Sequence, residues 1–224
     1  MTTFKQEQEA ITDVLTGSRC YYASVRLLVH PMSARTVYWA NRWGLHPNIV
    51  SLACAFFSVV CFYCFYTEHF MAAFIFFYLR TVLDYADGAL ARYAKKFSDL
   101  GKWLDRIIDE VFYLGLWLLI AFKAGITGLG GYFLFSALLY RCVTDLYIEP
   151  RLPLLKGRAR VKKFFLDRGI VVGCGVFTVM EFWTVFIFAI GLDRAYILIP
   201  VVLSNLDLLY RSYEIVKYKP KGVL

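Results

Sequence analysis

Apolar runs of about 20 residues recur along this chain, and they constrain its fold more than any other feature. Of its 224 residues, 59% are hydrophobic, and the mean hydropathy is +0.55. A transmembrane α-helix needs about 20 mainly apolar residues to cross the hydrocarbon core of a bilayer. Runs near this length cover residues 48–66, 70–93, 100–123, 131–149, 168–191 and 195–216. The sequence therefore predicts an all-α integral membrane protein with six transmembrane helices.

The segment before the first run is amphipathic rather than apolar. Residues 29–45 place two arginines among tyrosine and tryptophan side chains, and a helix of this kind lies in the membrane interface with its aromatics at headgroup depth. His46 and Pro47 then interrupt the segment, and proline favours the first turn of a new helix. We therefore expect one N-terminal amphipathic interfacial helix before the six spans. The chain divides into an N-terminal segment, a six-helix transmembrane domain that carries the candidate site, and a basic cytoplasmic tail, at residues 1–47, 48–217 and 218–224.

The basic residues are distributed unevenly between the two predicted sides of the membrane. Of the 25 lysines and arginines, twenty lie in or beside the N-terminal segment, the connections after the second and fourth runs, and the tail. Cytoplasmic loops of membrane proteins are enriched in these residues. The distribution predicts that both termini and the connection after the second run face the cytoplasm, which in a bacterium places the protein in the inner membrane. It also accounts for the net charge of +8 without a nucleic-acid partner.

Four aspartates lie inside or beside apolar runs, where an ionised carboxylate is unfavourable. They are Asp84, Asp87, Asp105 and Asp109. An ionised Asp at the centre of a bilayer costs about 2.5–3.5 kcal/mol, and neighbouring carboxylates repel one another, so a cation or protons must accompany them. Each pair of aspartates lies on one stripe of its helix, and antiparallel packing of the two helices would bring all four to one pocket. Because hard divalent ions such as Mg²⁺ or Mn²⁺ prefer carboxylate oxygens, the sequence predicts a site for one or two such ions.

Small residues share these helix faces with the acids. Gly88, Ala91 and Gly101 remove side-chain bulk there, so that the phosphates of a ligand could approach the backbone and the metal. Arg92 adds a guanidinium fork suited to phosphate. Arg80 precedes the first aspartate by one helical turn and is placed to pair with it or with another acid. The pocket is therefore expected to bind a phosphorylated ligand.

Together these residues form the pattern D-x2-D-G-x2-A-R-x8-G-x3-D-x3-D, which occupies residues 84–109. It resembles the pattern of the CDP-alcohol phosphotransferases, or CDP-alcohol phosphatidyltransferases, which are integral membrane enzymes that make phospholipids. Every fixed position is matched. The resemblance implies metal-dependent transfer of a phosphatidyl group from a CDP-linked alcohol, typically CDP-diacylglycerol, to the hydroxyl of a small polar alcohol such as a polyol phosphate, with release of CMP. It also implies contact with membrane lipids and a homodimer packed through the later spans.

The resemblance further implies a role for each residue of the pattern. Asp84 and Asp105 resemble residues that touch both of two metal ions, whereas Asp87 resembles a ligand of one. Asp109 resembles a ligand of the other ion and also the general base that deprotonates the acceptor hydroxyl. The residues that resemble donor contacts are Gly88, Ala91, Arg92, Ser98 and Gly101, with Asn48 and Ser51 as further donor-site positions at the start of the first span.

The sequence leaves the identity of the acceptor open. The candidates for acceptor binding follow the fourth run and are Arg151, Lys156, Arg158 and Arg160. They could recognise a phosphorylated polyol, or serve only as topology signals that attract anionic headgroups. A soluble CDP-polyol donor with a lipid acceptor is an alternative within the same chemistry. Two other classes fit membrane-embedded acids: a divalent-cation transporter, whose acids would line the full membrane depth, and an inactive scaffold, which would lack motif residues.

Overall fold

The structure, a computed structural model, describes residues 4–16, 21–22 and 25–123 of the chain. Beyond these it describes short stretches and single positions at residues 135, 139, 142–143, 170–171, 185–191, 202, 205–206, 208–210, 212–213 and 216–217. The continuous helices are α1 (Phe4–Thr16), α2 (His30–Arg42), α3 (Pro47–Tyr66), α4 (Phe70–Tyr93) and α5 (Asp99–Lys123). Two short strands, β1 (Tyr21–Tyr22) and β2 (Ile170–Val171), pair in parallel. Apart from this pairing, the described residues confirm the prediction of an all-α fold.

Local sequence explains where the three long helices begin and turn. The backbone N–H of Asn48 donates to Nδ1 of His46 at 3.3 Å, and Pro47 takes the first position of α3. Between α3 and α4 the chain reverses at Glu68, whose φ of 66° lies in the left-handed region. Ser98 caps α5, because its Oγ accepts a hydrogen bond from the backbone N–H of Gly101 at 2.9 Å. These short connections make α4 antiparallel to α3 and to α5, so that α3 and α5 run parallel with their starts close together.

One end of α4 is covered by the N-terminal helices. Ile11 and Leu15 of α1 and Val37 of α2 are buried in one cluster with Ala86 and Leu90 of α4. The buried Oγ of a serine on α2 also donates to a carbonyl of α4 at 2.9 Å. The outer face of α2 exposes apolar, aromatic and basic side chains together: Met32, Arg35, Trp39 and Trp43 just beyond its end. The helix is amphipathic as predicted from residues 29–45, and its position in the membrane interface stays a prediction.

At the other end of the long helices, aromatic side chains form the core. Phe65, Phe77, Phe112 and Trp117 are almost fully buried in one cluster. Gly115 allows α5 to approach α3 closely, because a β-carbon there would lie 2.9 Å from the ring of Phe62. Two cysteines of α3 act as small buried residues, and their thiols donate weakly to carbonyl groups of α4 at 3.6 and 3.4 Å.

The prediction of six membrane spans is not confirmed. In the described part of the chain, one helix, Pro47–Tyr66, is long and apolar enough to cross a membrane. Helices α4 and α5 have the length, at 24 and 25 residues, but they carry the charged residues of the motif. The exposed apolar side chains of α3 form one stripe along the helix: Ile49, Leu52, Phe56, Val59, Tyr63 and Tyr66. The predicted spans at 131–149, 168–191 and 195–216 fall mainly outside the described residues, and the domain division stays a prediction.

Candidate active site

Three helices meet at the site. They contribute the start of α3, the C-terminal half of α4 and the N-terminal half of α5. Asn48 and Ser98 join the start of α3 to the start of α5, because the Ser98 hydroxyl donates to Oδ1 of Asn48 at 3.1 Å. Ser51 joins α3 to α4, because its hydroxyl donates to Oδ2 of Asp87 at 2.6 Å. The antiparallel arrangement expected from the sequence is therefore present, and it brings both halves of the motif to one end of the bundle.

Three of the four predicted metal ligands converge. Asp84 of α4 and Asp105 and Asp109 of α5 each offer a carboxylate oxygen, and these oxygens lie within 4.8 Å of one another. Two oxygens bound to one Mg²⁺ at about 2.1 Å can be at most about 4.2 Å apart, so a small side-chain rotation is enough to share an ion. The donor set is all oxygen, with no histidine or cysteine in this group. The arrangement therefore fits a hard divalent ion.

Asp87 lies beside this group rather than within it. Its side chain is 5% exposed and accepts the hydrogen bond from Ser51. It lines the same cavity as Asp105. Asp87 lies three residues beyond Asp84 on α4, about 4.5 Å closer to the end of the helix. Three of the four carboxylates thus converge, and the fourth, that of Asp87, lies nearer the end of the helices.

Two side chains outside the motif, Arg80 and Tyr113, lie beside the converging acids on the side away from the cavity. Arg80 is fully buried, and its Nη2 donates to Oδ1 of Asp109 and lies 3.7 Å from Oδ1 of Asp84. Its Nη1 donates to the hydroxyl of Tyr113 at 2.8 Å. The sequence left open whether Arg80 pairs with Asp84 or with another acid, and in the structure it contacts both Asp84 and Asp109. Tyr113 was not anticipated, although it continues the stripe of Gly101, Asp105 and Asp109 by one more turn.

A cavity of about 90 Å³ opens beside the acids at the helix ends. Most of the predicted donor-site residues line it, namely Asn48, Ser51, Gly88, Ala91, Ser98 and Gly101, together with Asp87 and Asp105. Four further lining residues were not predicted: Pro47, Lys96, Phe97 and Lys102. The two lysines lie in or beside the connection after α4, where a basic residue in the sequence does not by itself distinguish a ligand contact from a topology signal.

Gly101 is required by its surroundings. A β-carbon at this position would lie 2.7 Å from Oδ1 of Asn48 and 2.8 Å from Oγ of Ser98. The glycine therefore permits the contact between the starts of α3 and α5. Arg92 is exposed and does not line the cavity, and its Nη1 would lie 3.4 Å from a β-carbon at Gly88. The predicted acceptor contacts Arg151, Lys156, Arg158 and Arg160 lie outside the described residues.

Comparison with known proteins agrees with this geometry. A model of the CDP-alcohol phosphatidyltransferase family matches residues 44–154, about half of the chain, and the matched range contains α3, α4, α5 and the whole cavity. No curated protein matches the chain. The family uses CDP-alcohol donors and alcohol acceptors, is generally dependent on divalent metal and is typically integral to membranes. This protein therefore belongs to the CDP-alcohol phosphatidyltransferase family and is a transferase of substituted phosphate groups.

Proposed function

We propose that this enzyme transfers a phosphatidyl group from CDP-diacylglycerol to the hydroxyl of a small polar alcohol such as a polyol phosphate, and releases CMP in phospholipid biosynthesis. The observation that carries the proposal is the convergence of Asp84, Asp105 and Asp109 within 4.8 Å, beside a cavity lined by small residues. A diphosphate needs both features, because its negative charge requires cations and its phosphates require close approach. Mg²⁺ or Mn²⁺, most simply as two ions, would be held by these three carboxylates and Asp87.

We assign the role of general base to Asp109, the more exposed of the two acids that Arg80 contacts. Its Oδ1 is engaged by Arg80, and its side chain is 30% exposed, compared with 18% for Asp84. One carboxylate oxygen is thus fixed while the other remains accessible to an incoming hydroxyl. When bound, divalent ions would supply charge neutralisation for the diphosphate and the departing CMP. The role of Asp109 is to accept the proton of the acceptor hydroxyl as its oxygen attacks the phosphorus of the phosphatidyl group.

The cavity at the helix ends suits the CDP portion of the donor. Gly88, Ala91 and Gly101 keep side chains out of its wall, so phosphates can approach the helix backbones. Asn48 and Ser98 offer polar atoms that lie directly against Gly101. Arg92 completes the proposed donor site from outside the cavity, where its exposed guanidinium is free to turn toward a phosphate.

The proposed membrane setting follows from the surfaces of the helices. The apolar stripe of α3 faces away from the core and suits contact with lipid chains. The aromatic and basic face of α2 suits the headgroup layer at the same end of the bundle as the acids. We propose six spans, both termini and the site facing the cytoplasm, the domain division at residues 1–47, 48–217 and 218–224, and a homodimer formed through the later spans. Acceptor binding by Arg151, Lys156, Arg158 and Arg160 remains part of the proposal.

The decisive experiment supplies labelled CDP-diacylglycerol, a panel of polar alcohols and polyol phosphates, and Mg²⁺ or Mn²⁺, and then identifies the lipid product and the CMP. A second arm supplies soluble CDP-polyols with diacylglycerol, which tests the alternative donor. Asp109→Asn should lower CMP release by about 10²-fold or more while the protein stays folded. Glu68→Gln is the control, because Glu68 is an exposed acid in the connection between α3 and α4, at the end of the bundle away from the site. Normal turnover by Asp109→Asn would refute the base assignment, and no CMP from either donor class would refute the proposed reaction.

A further inference from the structure

Arg80 lies one helical turn deeper than the acids, and the proposed reaction uses it only as the contact that fixes one oxygen of Asp109. It is fully buried, and one of its terminal nitrogens contacts Asp109 of α5 and, at 3.7 Å, Asp84 of α4. The other terminal nitrogen donates to Tyr113 at 2.8 Å. A single guanidinium therefore connects a carboxylate of α4 with a carboxylate of α5. The carboxylate on α5 is that of Asp109, the proposed base.

Two aromatic rings hold this guanidinium in place. Its central carbon lies 4.6 Å from the ring centroid of Phe112 and 4.8 Å from that of Tyr113. Attraction between a cation and an aromatic face is strongest where water is excluded, as it is here. The planar fork of arginine also loses less conformational freedom per hydrogen bond than the flexible ammonium of lysine. The position of the Arg80 guanidinium is therefore fixed, and it cannot move away when a divalent ion binds to the neighbouring acids.

We infer that Arg80 is a positioning residue of the transfer reaction. It holds Oδ1 of Asp109 so that the second carboxylate oxygen is presented to the acceptor hydroxyl, and its fixed positive charge limits how tightly the acids hold divalent ions. The first part rests on the proposed function, because it takes Asp109 as the base. The second part depends only on charge: a guanidinium beside Asp84 and Asp109 opposes the binding of another cation to the same carboxylates.

A purely structural role gives different expectations. If Arg80 served only to let the helices pack around buried acids, its removal would disorder the carboxylates and weaken metal binding. If Arg80 positions Asp109 and opposes the ions, its removal strengthens metal binding while slowing the reaction. These opposite directions separate the two roles.

The test measures Mn²⁺ binding to the purified protein without substrate, from the electron paramagnetic resonance signal of free Mn²⁺, and then CMP release from CDP-diacylglycerol. Arg80→Met should tighten Mn²⁺ binding at least about tenfold, because nearby charges in a partly buried site are weakly screened. The same variant should lower kcat by about 10²-fold, the lower end of a general-base contribution, with little change in the donor KM. Arg80→Lys keeps the charge and loses the fork, so it should restore wild-type Mn²⁺ affinity but not kcat.

Lys123→Met is the matched control. It also removes a cation that pairs with an acid, Glu68 at 3.0 Å, but at the far end of α5, about 21 Å along the helix from Asp109. It should change neither Mn²⁺ affinity nor kcat. Tyr113→Phe keeps Arg80 and removes only the hydroxyl that orients it, so it should lower kcat about threefold to tenfold with Mn²⁺ affinity unchanged.

Weaker Mn²⁺ binding by Arg80→Met, or an unchanged kcat in both Arg80 variants, would overturn the inference. If Arg80→Met does not fold, Arg80→Lys and Tyr113→Phe decide it, because full kcat in both would exclude a positioning role. A wild-type protein that binds Mn²⁺ but releases no CMP would contradict the proposed reaction alone, since the Mn²⁺ titrations would still decide whether Arg80 opposes the ions.

Discussion

The contact around Gly101 gives the sharpest prediction about the donor cavity. In Gly101→Ala the new β-carbon would start 2.7 Å from Oδ1 of Asn48 and 2.8 Å from Oγ of Ser98. Ordinary van der Waals contact begins at 3.4 Å, so each polar atom must move by several tenths of an ångström. Both are ends of short side chains, and they can rotate away without moving a helix. We therefore expect the junction between α3 and α5 to open while the fold remains.

The magnitude follows from the bonds that would be lost. Weakening the Ser98 cap of α5 costs about 0.5–2 kcal/mol, and the bond from Ser98 to Asn48 contributes about 0.5–1.5 kcal/mol. Against this, alanine is favoured over glycine within a helix by about 1 kcal/mol. The net change in the free energy of unfolding should therefore be small, about 0–2.5 kcal/mol. The larger effect should be a rise in the donor KM, because Asn48 and Ser98 would leave their places in the cavity wall.

Gly115→Ala is the control, because it makes the same chemical change on the same helix away from the cavity. Its β-carbon would meet the ring of Phe62 at 2.9 Å, and that ring packs on Phe112 with centroids 5.2 Å apart. A packed ring cannot rotate away, so overpacking should lower the free energy of unfolding by about 1–3 kcal/mol with little change in the donor KM. Thermal unfolding in detergent and CMP-release kinetics measure both quantities. Equal donor KM values in Gly101→Ala and the wild type would refute this account of the cavity.

Two further predictions concern the acids. Chelation with EDTA should abolish CMP release, and Mg²⁺ or Mn²⁺ should restore it; full activity in excess chelator would contradict the proposed metal dependence. Ser51→Ala removes the hydroxyl that donates to buried Asp87, so the free energy of unfolding should fall by about 1–3 kcal/mol without ions and by less at saturating Mn²⁺, as measured by unfolding curves in both conditions. An equal loss in both conditions would indicate that Asp87 is not a metal ligand.

The helices of the described fold could be predicted closely from the sequence. The ranges 48–66, 70–93 and 100–123 differ from α3, α4 and α5 by at most one residue at each end. Local chemistry sets these limits, because Pro47 and Ser98 mark helix starts and His69 precedes the next apolar run. Whether a helix crosses a membrane is harder to predict, since the charged motif residues that define the site also lower the apolar character of α4 and α5.

The candidate site was predictable where its residues share a helix face and less so where they meet across the fold. The spacing of the aspartates was enough to predict the approach of Asp84, Asp105 and Asp109. The contact between Asn48 and Ser98 joins residues 50 positions apart, and no local pattern encodes it. Tyr113 was missed for a different reason, because the motif ends at Asp109. Predicting a role for the next residue of the stripe requires knowing that Arg80 lies beside Asp109 and donates to the Tyr113 hydroxyl.

The distribution of charge along the long helices also separates an enzyme from a transporter. In α3, α4 and α5 every acidic side chain lies in the half of the bundle that contains the motif. Among the residues that the structure describes, the next acid toward the other end is Glu68, in the connection between α3 and α4. Between these levels the interior is filled by the aromatic cluster around Phe65, Phe77 and Phe112. A transported ion would need polar ligands along its path, because leaving them for an apolar core is costly. We therefore expect proteoliposomes to show no Mn²⁺ flux with or without CDP-diacylglycerol, measured with a dye quenched by Mn²⁺ inside the vesicles. Flux that Asp84→Asn abolishes would show that the acids line a path for ions and would contradict a closed catalytic site.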